Sequence, residues 1–126
     1  MLIAGGIETF DPSSYPSFVA LRSAETYDFV TGTWTITGDM MVGRVDPTST
    51  LLADGEVLVA GGEDFDLDVL QSAEIFSPAT GTWHPAASLN IPRTTASAAL
   101  LQDGTVLVAG GFYINHAQVT CEIYTP

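Results

Sequence analysis

Two nearly identical stretches constrain this chain more than anything else in it. Leu51-Leu52-Ala53-Asp54-Gly55-Glu56-Val57-Leu58-Val59-Ala60-Gly61-Gly62 returns as Leu100-Leu101-Gln102-Asp103-Gly104-Thr105-Val106-Leu107-Val108-Ala109-Gly110-Gly111, and the tail of the same unit opens the chain as Leu2-Ile3-Ala4-Gly5-Gly6. An apolar run, an Asp-Gly pair, a second apolar run and a glycine pair spell a β-hairpin in turn chemistry. Asp-Gly between strands predicts a two-residue type I′ turn, in which both residues take positive φ.

The recurrence extends well beyond the hairpin. A shift of 49 residues lays Ser23–Trp34 on Ser72–Trp83 with seven of twelve positions identical, and Thr48–Gly62 on Ser97–Gly111 with ten of fifteen identical. Arg44 falls on Arg93 and Trp34 on Trp83. A third copy resumes at Cys121-Glu122-Ile123-Tyr124, 48 residues after its counterpart, so one loop has lost a residue. Repetition at this distance marks a repeat architecture, in which neighbouring units bury faces that none could bury alone.

Each unit reads as four short strands. The first, Ala96–Leu101, is rich in small residues; the second, Val106–Ala109, is apolar at every position. A sheet with one wet face would alternate, so the second strand is expected to be buried on both faces. Glu74-Ile75-Phe76 carries the third strand, and Pro78-Ala79-Thr80-Gly81 turns into a fourth at Thr82-Trp83-His84. Four-stranded antiparallel units of about 45–50 residues, packed face to face, are propeller blades. The expected fold is all-β, a β-propeller segment: one domain over residues 1–126, with repeats at about 1–44, 45–93 and 94–126, the first and last incomplete. Closed propellers have about four to eight blades. The expectation is therefore a segment of a longer protein, or one protomer of an assembly that completes a ring, with remaining blades or other protomers as partners.

The glycine pair, an aromatic at Phe76 and a tryptophan at Trp83 resemble kelch repeats. Asp-Gly-x-Val-Leu-Val-Ala-Gly-Gly, Ser-Ala-Glu-Ile-Phe-x-Pro-Ala-Thr-Gly-Thr-Trp and the following Arg are similar to the bacterial, galactose-oxidase-like branch of kelch proteins. The first copy departs from the pattern with Phe29 and Val30 where the second has Pro78 and Ala79. Family members often carry a His three residues after the Arg; here those positions are Pro47 and Ala96. The resemblance implies a binding face built from loops, and it raises the alternative of a copper radical oxidase whose catalytic residues lie mostly outside this segment. Of the residues such a site would use, the segment has Tyr27, Tyr113, Tyr124 and Cys121 but no matching pair of histidines. Cys121 stands where the other copies have Ala24 and Ala73, and is expected to be an ordinary buried small residue.

Charge narrows the range of partners. Fifteen acidic residues against three arginines and no lysine give a net charge of -12. Such a surface repels phosphate backbones and anionic lipid, so neither nucleic acid nor membrane insertion is expected. No apolar run approaches the ~18–20 residues that span a bilayer. A secretion signal would have to lie upstream, and an acidic, lysine-free, Thr/Ser/Gly-rich β chain is expected at the cell surface or secreted, in a bacterium.

Function is expected in the loops, where the copies disagree. In an antiparallel meander the loops Ile7–Arg22, Glu63–Gln71 and Phe112–Val119 share one end with the inter-blade loops Gly38–Thr48 and Ala87–Thr95. Phe10 and Tyr15, with Phe18 and two stiffening prolines, either anchor a partner or fold their long loop onto its own blade. Asp64, Asp66 and Asp68 alternate like the start of a Ca²⁺ loop. Position six of that pattern would be Val69 rather than Gly, and Glu74 falls one short of position twelve, so a solvated acidic loop is expected, with no metal and no cofactor. Tyr113, Asn115 and His116 form a second candidate binding group. His84, beside Trp83 on an outer strand, carries no expected role. Glu25, Glu74 and Glu122, in phase with Arg44 and Arg93, predict repeated ion pairs or hydrogen bonds, with the arginines also available to Trp34 and Trp83. The glycine pairs have no following helix or lysine and so do not form a phosphate loop; φ angles or close approach explain them. The sequence therefore favours a non-enzymatic module binding protein or glycan, with the oxidase and a structural subunit of an extracellular assembly as alternatives.

Overall fold

The computed structural model describes residues 1–9, 18–114 and 116–126. Every regular element among them is a strand. The complete unit is a four-stranded antiparallel sheet of β6 (Thr48–Leu51), β7 (Val57–Ala60), β8 (Ala73–Ser77) and β9 (Thr82–Ala86), in that order. Before it stands a three-stranded sheet of β1 (Leu2–Ala4), β4 (Ala24–Asp28) and β5 (Thr33–Ile36). After it stands another, of β10 (Ser97–Leu100), β11 (Val106–Ala109) and β14 (Cys121–Tyr124). Their registers agree: Ile3 faces Glu25, Val59 faces Glu74 and Val108 faces Glu122.

Two short hairpins lie where loops were expected. β2 (Ile7–Thr9) pairs β3 (Phe18–Ala20), and β12 (Phe112–Tyr113) pairs β13 (His116–Ala117). Pairing within each hairpin satisfies backbone groups of these segments, and Phe112 also exchanges backbone bonds with Thr94 (2.9 and 3.1 Å).

The all-apolar β7 behaves as its composition requires. Leu58, Val59 and Ala60 point alternately to opposite faces, and all three are buried; in β11, where the same two-sided burial was expected, Val106 and Val108 are buried but Leu107 and Ala109 are only half-buried. The core lies chiefly between the second and third sheets, where Leu58, Ala60, Ile75 and Leu89 meet Val106, Val108 and Tyr124. On the first sheet Ile3, the counterpart of buried Val59, is 52% exposed.

Two expectations need correction. The Asp-Gly turn is not type I′: Gly55 (φ 91) and Gly104 (φ 87) are positive, whereas Asp54 and Asp103 are not. The Oδ1 of Asp54 accepts the amide of Glu56, and that of Asp103 the amide of Thr105, each at 3.0 Å. This Asx interaction keeps the aspartate at negative φ and leaves only the glycine left-handed, giving the bulged three-residue hairpin loop. Leu52 N to Glu56 O (2.8 Å) and Gly55 N to Leu52 O (3.1 Å) close it. Cys121, expected to be buried, is exposed. Its counterparts Ala24 and Ala73 are covered because a fourth strand pairs alongside them; β14 is an edge strand among the described residues.

Candidate functional site

The in-phase Arg and Glu residues build the joint that aims the loops. Arg44 leaves the first unit, to which its backbone is tied by Gly6 N to Arg44 O (3.0 Å) and Arg44 N to Leu21 O (3.2 Å). Its guanidinium enters the second unit. Nη1 donates to the carbonyls of Gly61 (2.8 Å) and Ser72 (3.0 Å), and Nη2 to Ser72 Oγ (3.2 Å) and Glu74 Oε1 (2.8 Å). Glu74 also accepts the amides of Met41 (2.7 Å) and Val42 (3.0 Å), which lie on the arginine's own loop. Arg44 is 0% and Glu74 2% exposed.

The next joint repeats this geometry. Arg93 donates to Gly110 O, Thr120 O, Thr120 Oγ1 and Glu122 Oε1, all at 2.8 to 3.0 Å. Glu122 accepts the amide and side chain of Asn90. Burial alone would raise the Glu122 pKa, but the bonds from Asn90 and Arg93, with the arginine's charge, hold it below the usual value. The arginines therefore do not lie over the tryptophans. Trp34 packs on Tyr27 and Trp83 on Phe76, at ring separations of 4.9 and 5.1 Å. A guanidinium whose Nη atoms bond carbonyls, a hydroxyl and a carboxylate gains more there than over an aromatic ring, even though the buried Nε of Arg44 has no partner among the described residues.

The glycine pair serves the same joint. Gly61 (φ 68) and Gly62 (φ 94) are left-handed, and a Cβ on Gly61 would strike the carbonyl of Arg93. Only glycine lets the second strand turn this close beneath the inter-blade loop.

Above the joint between the second and third sheets lies an open cleft of about 940 Å³. The β7–β8 loop gives it Glu63, Leu67 and Asp68, the inter-blade loop Pro92, Thr94 and Thr95, and the β12–β13 hairpin Phe112, Tyr113 and Ile114. A bridge from Thr94 to Phe112 ties the inter-blade loop to the hairpin, Arg93 N to Leu70 O (3.1 Å) ties it to the β7–β8 loop, and a bridge from Glu63 to Val69 closes that loop on itself. Two features bear on the cleft, although buried polar atoms of Arg44, Thr50, Trp83 and Tyr124 also lack partners among the described residues and Asp46, the counterpart of Thr95 in the preceding repeat, also has positive φ. Thr94 is 4% exposed, and its buried hydroxyl has no hydrogen-bond partner among the described residues. Leu67 (φ 65), Thr95 (φ 51) and Ile114 (φ 45) all line the cleft with positive φ, a conformation that costs a non-glycine residue on the order of 1–3 kcal/mol.

The structure places the residues singled out in the sequence unevenly. Tyr113 lines this cleft. His116, its hairpin partner, is exposed. Asp64 lies on the far side of its loop, in a separate depression with Arg22, Met41 and Phe65. Its Oδ1 accepts the amides of Asp66 and Asp68, each at 3.0 Å, so this carboxylate caps a turn, while Asp66 is exposed. Among the described residues no three His, Cys, Asp or Glu side chains are grouped closely enough to hold a metal ion. Phe10, Tyr15 and Asn115 lie outside the described residues. Sequence reasoning missed Thr94, Thr95 and Leu67. Their loops were marked as variable, but no pattern in the sequence announces a positive φ or an unpartnered hydroxyl.

Residues 47–90 match the family model of the Kelch motif, a span that holds the whole four-stranded sheet. That sheet is a kelch repeat, and the all-β chain around it is propeller-like. No curated protein matches the chain closely enough to be counted a relative.

Proposed function

We propose that this chain is a non-enzymatic interaction module that takes a protein partner in the cleft between the β7–β8 loop and the β12–β13 hairpin. Kelch repeats generally serve protein–protein interaction, and residues 47–90 form one. The observation that carries the reading is the unpartnered Thr94 hydroxyl in a cleft that three left-handed, non-glycine residues also line. A buried hydroxyl without a partner and a strained backbone are both costs, and a ligand in this cleft would offset them. Phe112, Tyr113 and Ile114 offer exposed apolar surface, with Glu63 and Asp68 at the rim. The repeat motifs support the bacterial, galactose-oxidase-like branch of kelch sequences, and the lysine-free acidic composition supports a secreted or cell-surface setting.

The test is a selection of displayed random peptides on the protein, with a glycan array run in parallel. Selected peptides are expected to lose at least tenfold in affinity for Tyr113→Ala and for Thr94→Val, while His84→Ala on the outer strand leaves them unchanged. Binders that ignore Tyr113→Ala and Thr94→Val would overturn the assignment to this cleft, and recognition of glycans alone would replace the protein partner.

A further inference from the structure

Resting on the assignment of a protein partner to the cleft, we propose that the segment it takes is a peptide carrying a lysine or arginine beside an apolar residue. The cleft needs hydrogen-bond donors and positive charge. Glu63 and Asp68 line it from the β7–β8 loop, Thr94 from the inter-blade loop, and Phe112, Tyr113 and Ile114 from the hairpin.

The two carboxylates are held near each other by the backbone of their own loop. Glu63 exchanges backbone bonds with Val45 at 2.8 and 2.9 Å and is bridged to Val69, the residue after Asp68. Asp64 N donates to Asp68 O at 3.1 Å, and Asp64 Oδ1 accepts the amides of Asp66 and Asp68. Asp64 therefore closes the turn. No ion pair among the described residues includes Glu63 or Asp68. The chain has no permanent cation to place beside them: it lacks lysine, Arg44 and Arg93 are buried in the joints, and Arg22 lies in the separate depression with Asp64.

Thr94 supplies an independent observation. The preceding repeat has Val45 at this position, and Val45 bridges Glu63 as Thr94 bridges Phe112. A side chain without a hydroxyl thus makes the same local structure, yet Thr94 buries a hydroxyl that has no partner among the described residues. Two carboxylates and a hydroxyl can all accept hydrogen bonds, and the heads of lysine and arginine offer only donors. Phe112 (48% exposed), Tyr113 and Ile114 leave apolar surface for the residue beside the cation, and the two rings also attract a cation over their faces. A calcium ion fits this set less well, since it takes about six to eight oxygen ligands. The cleft volume, about 940 Å³, suits a short length of chain rather than a single ammonium group.

The probe is a displayed random-peptide library selected on the 126-residue chain, keeping the clones whose binding Tyr113→Ala weakens. Those clones are expected to share a lysine or arginine next to an apolar residue. Their affinity should fall about tenfold or more on the double variant Glu63→Gln with Asp68→Asn, and should weaken as salt rises. The control, Glu8→Gln with Asp66→Asn, removes the same charge from exposed positions that do not line the cleft, and should leave affinity little changed. Tyr113-dependent clones that share no cation, or that bind Glu63→Gln with Asp68→Asn as tightly as the wild type, would overturn this inference while leaving the cleft as the protein-binding site. An equal loss in the control would also overturn it, by assigning the effect to net charge. A selection yielding no clone that depends on Tyr113 or Thr94 would instead overturn the assignment of the partner to the cleft.

Discussion

Replacing Glu74 with glutamine should test whether the buried joint, rather than the apolar core alone, holds successive repeats together. The carboxylate receives three donors: Val42 N and Arg44 Nη2 on Oε1, and Met41 N on Oε2. Glutamine has one acceptor oxygen. In its better orientation it keeps the Oε1 contacts and turns an NH₂ toward the amide of Met41, donor against donor. That amide then lacks a partner, at about 1–3 kcal/mol. The guanidinium of Arg44, fully buried, also loses its counter-charge. Breaking one side of a buried pair costs about 3–5 kcal/mol in all. Against a total stability of about 5–15 kcal/mol this is a large share. At about 4 °C per kcal/mol for a chain of this size, Tm should drop by roughly 12–20 °C.

The assay is urea unfolding followed by tryptophan fluorescence and circular dichroism, with wild-type, Glu74→Gln and the double variant Arg44→Met with Glu74→Leu. Isolated buried ion pairs can often be replaced by apolar residues at little cost. Here the double variant would strand the carbonyl of Gly61 and the amides of Met41 and Val42, while Ser72 O keeps the amide of Gly61, so it should be at least as unstable as Glu74→Gln. A loss below about 1 kcal/mol for Glu74→Gln would refute the reasoning. So would a double variant as stable as the wild type.

Two further outcomes follow from the same geometry. Gly61→Ala should cost more than about 3 kcal/mol, combining a left-handed conformation with displacement of the Arg93 carbonyl that Gly62 N bonds at 2.8 Å; Gly55→Ala, whose added Cβ meets nothing within 4 Å, should cost only about 1–2 kcal/mol, and thermal melts of the pair read the difference. Because the Glu122 pKa is lowered in the folded chain, the unfolded chain binds more protons in that range. Its contribution is therefore complete above the usual value of 4.5 and is lost as pH falls through the lower native value; Glu122→Gln should flatten that part of the acid limb in urea midpoints measured from pH 6 to pH 3.

The blades were legible because they are written in local chemistry and written more than once. Val57–Ala60 declares two-sided burial by lacking any polar alternation, although the same pattern at Val106–Ala109 fully buries only Val106 and Val108, and Glu74 and Glu122 declare partners by recurring in phase with Arg44 and Arg93. The ion pairs were legible, but the carbonyls that share each guanidinium were not. An arginine has several acceptable neighbours, and only the angle between successive sheets puts a carboxylate and two carbonyls within its reach while the tryptophan rings stay with Phe76 and Tyr27.

What the sequence alone determined is the repeat, its strands and the glycine positions, since each follows from preferences acting over a few residues. Tertiary structure decided the rest. Asp54 and Asp103 spend their carboxylates on an amide two residues on, which changed the expected turn. Cys121 is exposed because no strand pairs outside β14 among the described residues. The cleft joins Leu67, Thr94 and Tyr113, which belong to three separate connections and share no spacing. Such a site exists only once two sheets have packed at a fixed angle, and nothing in a run of neighbouring residues encodes that angle.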